Sequence, residues 1–243
     1  MSNSFTDIHC HILQGLDDGS PTSEESVKML ERAFRDGISS IVATPHIVSG
    51  VYNNTKDIID MAVQKLRGLT TQIQIYAGAE IRISRDLAVR VGNNELPLIN
   101  HKHYMLLELP SFVIPPMAQL ENIVRGLIQS DITPIFTHPE RNMPILKDFS
   151  IMERLIKCGV LFQMTAMSIT GQDLRSSALE MIRKGYIHVV ASDAHDTRHR
   201  PPILSPAYET VSNKFGSGVA DSLFIINPRK IILGENIRKE SSL

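Results

Sequence analysis

Histidines and carboxylates recur in this chain just after apolar runs, at intervals of roughly 30 residues, the length of one strand-plus-helix unit. The first cluster is Asp7-Ile8-His9-Cys10-His11, where the alternation of an extended chain sends both imidazoles to one face. Asp17-Asp18-Gly19 follows, which alone reads equally well as a turn. Thr44-Pro45-His46, Gly78-Ala79-Glu80, Leu107-Glu108 and Thr137-His138-Pro139-Glu140-Arg141 come next, and Ser192-Asp193-Ala194-His195 supplies a second same-face pair. Each could be bland in isolation. Their joint placement is the signal, because charges scattered by chance would not keep landing after apolar runs. Imidazoles and carboxylates without cysteine partners suit hard or borderline divalent ions, and carboxylates can bridge two cations, so the set points to a hydrolytic metal cluster. His101 and His103 lie in a polar stretch and His188 inside an apolar run, so these three read as structural or solvated. His199, in Asp196-Thr197-Arg198-His199-Arg200-Pro201-Pro202, follows the last pair directly and stays a candidate.

The elements that must position these residues follow from periodicity. Phe5 to Leu13, Ser40 to Thr44, Ile73 to Ala77, Met105 to Leu109, Ile132 to Phe136, Val160 to Met164 and Ile187 to Ala191 read as seven strands. Thr22-Ser23-Glu24-Glu25 fits a capping box opening a helix to about Phe34, with Gly37 as its stop. Further helices are expected over Thr55 to Leu69, Met117 to Gln129, Ile151 to Lys157 and Gln172 to Lys184. Near-continuous apolar strands alternating with helices predict a parallel sheet covered on both faces. An open sheet gathers ligands at one switch point, whereas here nearly every strand end carries a His, Asp or Glu. A closed α/β ring is therefore expected, with all clusters facing one mouth.

The chain has 243 residues, 42% of them hydrophobic, which suffices for one large core, and no linker or low-complexity tract divides it. A single domain over 1–243 is expected. A net charge of -1 gives no general basis for holding a polyanion, so nucleic acid is not an expected partner. The amino terminus lacks a basic region followed by an apolar core, and no run reaches the roughly 18 apolar residues of a membrane span, which predicts a cytoplasmic protein without membrane insertion. Two cysteines, Cys10 and Cys158, make no disulfide framework, and Cys158 reads as packing.

Taken together, the motifs resemble those of the polymerase-and-histidinol-phosphatase (PHP) superfamily, whose sites combine H-x-H, further His and Glu residues and a final D-x-H. The whole chain looks closer still to the bacterial capsular and exopolysaccharide tyrosine-protein phosphatases of that superfamily. The residues carrying this likeness are Asp7 to Gly19, Glu24-Glu25-Ser26, Ala79-Glu80-Ile81, His138-Pro139-Glu140-Arg141, Ser192 to His195 with Arg200-Pro201-Pro202, and Asn227-Pro228-Arg229-Lys230-Ile231. The resemblance implies a PHP-type distorted (β/α)7 barrel with three divalent ions, expected to be manganese, with iron, zinc or cobalt as alternatives. It assigns metal binding to His9, His11, His46, Glu80, Glu108, His138, Asp193 and His195. A ninth ligand comes from Asp17 or Asp18; the D-G motif favours Asp18, while other members place a His at the offset of Asp17. It also places Arg141 and Arg200 where the family holds the substrate phosphoryl group. Asn142 departs from the pattern, since relatives often carry Tyr there.

The implied activity is metal-dependent hydrolysis of phosphotyrosine, on the tail of a membrane tyrosine autokinase that governs capsular or exopolysaccharide synthesis. An oligomer is compatible with the sequence. Phosphoryl transfer is chiefly positioning and charge stabilisation, which paired metals and fork-shaped Arg donors supply. A tyrosine leaving group, with a pKa near 10, needs little acid assistance, and Asp196 or His199 would be the proton donors. The cysteine-based alternative is excluded, since Leu16 and Met164 stand six residues after Cys10 and Cys158 where an Arg is required. No G-x-x-x-x-G-K loop is present either. The enzyme alternative is histidinol-phosphate phosphatase of the same superfamily. A metal-stabilised binding module would be expected to lack ligands or arginines, and a nuclease to show a basic track beside the mouth.

Overall fold

Parallel strands alternate with helices throughout the computed structural model, which describes residues 4–70 and 72–237. The extreme amino terminus, Met1–Asn3, where no leader was read, lies outside them. Three strands, β1 (Phe5–Cys10), β2 (Ile38–Ala43) and β4 (Gln74–Ala77), form one sheet in the order β1-β2-β4. Six form the other in chain order: β3 (His46–Ile47), β5 (Glu80–Arg82), β6 (Tyr104–Glu108), β7 (Thr133–Thr137), β8 (Leu161–Thr165) and β9 (Val189–Ala191). Every pairing between these strands is parallel.

The division into two sheets has a local cause. Pro45 has no N–H to donate, so the ladder breaks between β2 and β3. The partner line breaks alongside it at Gly78-Ala79, where a side chain at Gly78 would press 2.7 Å from Val42 Cγ1. Backbone bonds nevertheless span the gap, from Gly78 N–H to Ala43 O at 3.0 Å and from Glu80 N–H to Pro45 O at 3.2 Å. Two short strands that periodicity alone does not predict, β3 and β5, thus extend expected strands and begin on His46 and Glu80.

Helices pack outside the strands. The Thr22 side chain accepts from Glu25 N–H to start α1 (Ser23–Arg35), and Thr55 caps α2 (Lys56–Arg67) in the same way. Next come α3 (Leu87–Gly92), α4 (Met117–Gln129), which coincides with the expected span, α5 (Met143–Lys147) and α6 (Ser150–Lys157). Then follow α7 (Ala166–Thr170) and α8 (Arg175–Arg183), which starts three residues after Gln172. The run after β9 holds α9 (Ser205–Phe215), α10 (Ser217–Asp221), a π-helical turn (Ser222–Ile226) and α11 (Asn227–Leu233), none of them anticipated as helices. Asp36, at the end of α1, fixes the start of α9 by accepting from Leu204 N–H at 2.6 Å and Ser205 N–H at 3.0 Å.

Two apolar clusters result. The larger lies between strands and helices. The smaller joins Ile8 and Val42 of one sheet to Leu106, Ile135, Leu161 and Val189 of the other, with Ile231 and Ile232 of α11 packed onto it. The inner faces of both sheets therefore share one core, with the charged residues described next at the carboxyl ends of the same strands.

Candidate metal centre

β1 departs from simple alternation where the chemistry begins. Ile8 packs in the inner cluster, but Cys10, two residues on, packs in the outer one, and the β1–β2 register is irregular between Asp7 and Cys10. That irregularity reverses the strand's facing, so His9 and His11 point inward behind Ile8. Their Nε2 atoms face each other at 3.0 Å. Asp7, fully buried, accepts from Ser192 N–H at 3.0 Å and from Ser192 Oγ, tying β1 to the end of β9. Asp193 N–H to His9 O and His11 N–H to Ala194 O, both 2.8 Å, continue that link.

The other expected residues arrive from the remaining strand ends. Glu80 Oε2 lies 3.3 Å from His9 Nε2, 3.6 Å from His11 Nε2 and 3.1 Å from His46 Nδ1, while its Oε1 is 2.9 Å from His138 Nε2. Asp193 Oδ1 lies 3.4 and 3.5 Å from the same two Nε2 atoms of His9 and His11. Asp18 Oδ1 is 3.5 Å from both His46 Nε2 and His195 Nε2. Glu108 sits at the edge, 3.9 Å from His138 Nε2 and bonded to Arg82 Nε at 2.6 Å. Three overlapping groups could each hold a cation: His11, Asp18, His46 and His195; His9, His11 and Glu80; and His46, Glu80 and Glu108. His138 and Asp193 adjoin these groups through Glu80, His9 and His11. All nine expected ligand residues are thus brought to one place.

The donor set fits divalent ions on its own terms. It contains only imidazole nitrogens and carboxylate oxygens. Among the described residues, His46 Nδ1 and His195 Nε2 are buried without a hydrogen-bond partner, an expensive state unless something else takes their lone pairs. Several rings are also pre-set. His195 Nδ1 meets the Asp193 carbonyl oxygen at 3.1 Å, which can only accept, so the proton is on Nδ1 and Nε2 is open. His9 Nδ1 donates likewise to Gln163 Oε1 at 2.8 Å. His11 Nδ1 meets Asp17 Oδ2 at 2.6 Å, and Asp17 also accepts from Gly19 N–H and His46 N–H, each at 2.9 Å. Asp17 is therefore an orienting carboxylate turned away from the cluster, and Asp18 faces it. Gly19 permits this turn, since a Cβ there would collide with the carbonyl oxygen and Cβ of His11.

Electrostatics follow from this crowding. Burial alone would lower His11, but the Asp17 and Asp193 carboxylates outweigh it and raise it to about 10. Burial lowers His46 to about 4, so it stays neutral. Burial opposes ionisation of Glu80 and Asp193, yet His9 and His138 hold Glu80 well below the usual range, and His9, His11, Arg141 and Arg200 do the same for Asp193. Glu108 is raised by burial and by Glu80. His138 (φ 34°) and Asp193 (φ 53°) both adopt left-handed backbone, a strain of about 1–3 kcal/mol each that concentrates at working sites.

Arg141 and Arg200 converge on a single atom, Asp193 Oδ2, each at 2.7 Å. Both side chains are 32% exposed, so their remaining donors reach the mouth. Asn142, the departure from the resembling pattern, is buried; it caps α5 through Ile145 N–H and donates to Pro110 O at 2.8 Å. Asp196 accepts backbone N–H groups from Arg198, His199 and Arg200, which outweigh burial and lower it. It organises the loop and is ill suited to donate a proton, and the His199 side chain is 87% exposed. His101 pairs with Asp60, the His103 ring lies tilted at 35° beside Tyr104 and His188 Nδ1 accepts from Phe162 N–H, all away from the cluster.

Sequence reasoning missed four contributors. Tyr52 stacks on His46 with centroids 5.7 Å apart at 12°, Gln163 orients His9, Thr137 Oγ1 donates to Glu80 at 2.6 Å, and Arg82 holds Glu108. Gln163, a lone polar residue in an apolar strand, was the one visible signal.

Comparison with known proteins agrees with this geometry. A family model described as "Capsular polysaccharide synthesis, CpsB/CapC" matches residues 5–233. The tyrosine-protein phosphatase YwqE of Bacillus subtilis is 33% identical over 218 residues, covering 87% of this chain and 85% of that protein. The tyrosine-protein phosphatase CpsB of Streptococcus pneumoniae is 29% identical, covering 95% and 99%. A solved structure described as YwqE from Bacillus subtilis and CpsB from Streptococcus pneumoniae, metal-dependent tyrosine phosphatases, superposes with a TM-score of 0.91 at 31% identity, covering 97% of each chain. A lactonase from Listeria monocytogenes, 14% identical with a TM-score of 0.57, covering 98% of this chain and 96% of its own, shares the fold alone. The chain belongs to the CpsB/CapC family of capsular polysaccharide synthesis proteins.

Proposed function

We propose that this chain is a metal-dependent protein-tyrosine phosphatase that hydrolyses phosphotyrosine on a polypeptide, the tail of a tyrosine autokinase in capsular or exopolysaccharide synthesis, acting in the cytoplasm. The observation that carries the reading is the meeting of two guanidinium groups, on side chains about one-third exposed, at Asp193 Oδ2, at the edge of a buried His and carboxylate cluster. Relatives named as tyrosine phosphatases over nearly their whole length support it and do not favour the histidinol-phosphate alternative. The same proposal takes the chain as one domain with the two sheets as an interrupted (β/α)7 ring, supported by the Cys10–Ala194 bridge and the bonds across Pro45.

The metal ligands are taken to be His9, His11, Asp18, His46, Glu80, Glu108, His138, Asp193 and His195, holding three divalent ions, with manganese the first choice. When bound, such ions supply Lewis acidity, which polarises a phosphoryl group and makes water nucleophilic at neutral pH. The chain's own residues do the rest. Arg141 and Arg200 offer forked donors to the non-bridging oxygens and trade part of their contact with Asp193 for the phosphate. Asp17 keeps the proton of His11 on Nδ1, and Gln163 does so for His9, so both Nε2 lone pairs face the cluster. The phenolate leaving group departs with little need of an acid, in keeping with Asp196 being committed to backbone N–H groups.

The test is phosphate release from a tyrosine-phosphorylated peptide by manganese-loaded protein, beside histidinol phosphate and a chelated blank. Chelator-sensitive turnover of the peptide well above histidinol phosphate is expected; the reverse preference would move the assignment to that small substrate. Arg141→Ala should cut kcat/KM on aryl phosphates by about 100-fold with metal content intact, whereas loss of metal would make Arg141 structural.

A further inference from the structure

The loop after β6, Pro110-Ser111-Phe112-Val113-Ile114-Pro115-Pro116, puts its apolar side chains where water is. Phe112 is 86% exposed and Val113 63%, two residues in sequence on a segment that begins just after the cluster residue Glu108. Scattered single apolar residues on a surface need no explanation, but adjacent ones beside a reactive mouth mark a contact surface. Beneath the loop is a cavity of about 310 Å³ lined by Ile83, Arg85, Pro110, Val113, Ile114 and Ile123. Its lining residues Ile83 and Pro110 follow the ends of β5 and β6 in the chain, one residue after Arg82 and two after Glu108.

The loop is also held in place. Three prolines restrict its backbone. Asn142 Nδ2 donates to Pro110 O at 2.8 Å, and Met143 N–H donates to Ser111 O at 2.8 Å, so its base is fixed to the segment that carries Arg141. An apolar surface held rigid before a ligand arrives loses little entropy on binding.

We propose that this loop and cavity form a subsite for an apolar side chain adjacent to phosphotyrosine in a polypeptide substrate, an inference that rests on the phosphatase reading. On this proposal a small aryl phosphate needs the cluster and both arginines but not the apolar side chains of the loop. A polypeptide anchored there by its phosphotyrosine must run over the rim, and on the β5–β6 side the rim offers apolar wall. Selectivity for the flanking sequence then arises at residues that take no part in the chemistry.

The experiment uses the full manganese-loaded chain, p-nitrophenyl phosphate, and phosphotyrosine peptides carrying Leu, Gly or Asp beside the phosphotyrosine, on each side in turn. On one side, Leu should exceed Gly by about tenfold in kcat/KM, expressed in KM. Val113→Asp should remove that preference while leaving p-nitrophenyl phosphate turnover unchanged, and Val113→Ile should retain it. Equal rates for Leu and Gly on both sides, a preference for Asp, or a Val113→Asp variant that slows p-nitrophenyl phosphate equally would each overturn the subsite. Absence of turnover on every substrate would instead remove the phosphatase reading, and the subsite with it.

Discussion

Ile8 and His9 are neighbours in β1 and both are fully inaccessible to solvent, yet they belong to regions with opposite energetics. Ile8 sits among Val42, Leu106, Ile135 and Leu161, where burial itself is favourable. His9 sits among Glu80, Asp193 and His11, where burial costs free energy unless charges are matched. One strand thus runs from a region that holds the fold together into one that the fold must sustain against its own preferences. The difference implies that the mouth, and not the inner core, depends on cations. Chelation should therefore abolish phosphatase activity and lower Tm by about 5–10 °C for each ion lost from a site kept near 100 times its Kd, with far-UV circular dichroism retained. The proton balance has a definite sign. Without cations His11 is raised to about 10 and is protonated at pH 7, so an entering ion must expel that proton. Apparent affinity should fall as pH is lowered from 10, with proton release measurable by calorimetry in buffers of different ionisation heat.

The inner core offers the opposite test. Ile135→Ala should destabilise the chelated protein by about 2–5 kcal/mol, read from denaturant midpoints, because the cavity left among Ile8, Leu106 and Leu161 cannot collapse fully. Metal stoichiometry below the transition should stay at its wild-type value. A variant that lost metal while still folded would show that the two regions are one cooperative unit and would erase the distinction drawn from Ile8 and His9.

How much of this was legible in the sequence differs between the same two regions. The strands of the inner core were visible as apolar runs, and Met117–Gln129 was legible to the residue because Pro116 opens it and its apolar positions follow a helical period. The residues proposed as ligands were legible because polar side chains after apolar runs stand out. Three things were not. β3 and β5 are only two and three residues long, too short for any periodicity, and exist because pairing resumes beyond Pro45. The helices after β9 lead to no further strand among the described residues and are placed by tertiary contacts such as Asp36 with Leu204 and Ser205. The division of labour between Asp17 and Asp18 depends on which way each side chain turns around Gly19, a fact of three-dimensional packing that two identical neighbouring residues do not encode.

That division can be sharpened by mutation. Asp17→Asn keeps the size and an acceptor oxygen but removes the charge that supports His11, so metal affinity should fall by about tenfold, at the low end for an orienting partner. Asp18→Asn removes a proposed ligand oxygen and should cost more; equal losses would return the choice between the two to an open one.

The smallest expected effect concerns His46, whose ring is held differently from those of its neighbours. His9, His11 and His195 each have a hydrogen-bond partner at Nδ1, namely Gln163, Asp17 and the Asp193 carbonyl. His46 Nδ1 makes no hydrogen bond among the described residues, although Glu80 Oε2 lies 3.1 Å away, and its Nε2 faces Asp18 at 3.5 Å. The face of the ring is supported by Tyr52, stacked at 12° and itself held by the Val48–Tyr52 bridge. An aromatic pair of this kind contributes about 0.5–1.5 kcal/mol. Tyr52→Ala should then weaken metal binding by about 2–10-fold, in a titration that needs no turnover, and Tyr52→Phe should leave it unchanged because the stacking face survives. If Tyr52→Phe lost as much as Tyr52→Ala, the hydroxyl near Asp18 would be the working group and the orientation of His46 would have to come from the ions themselves.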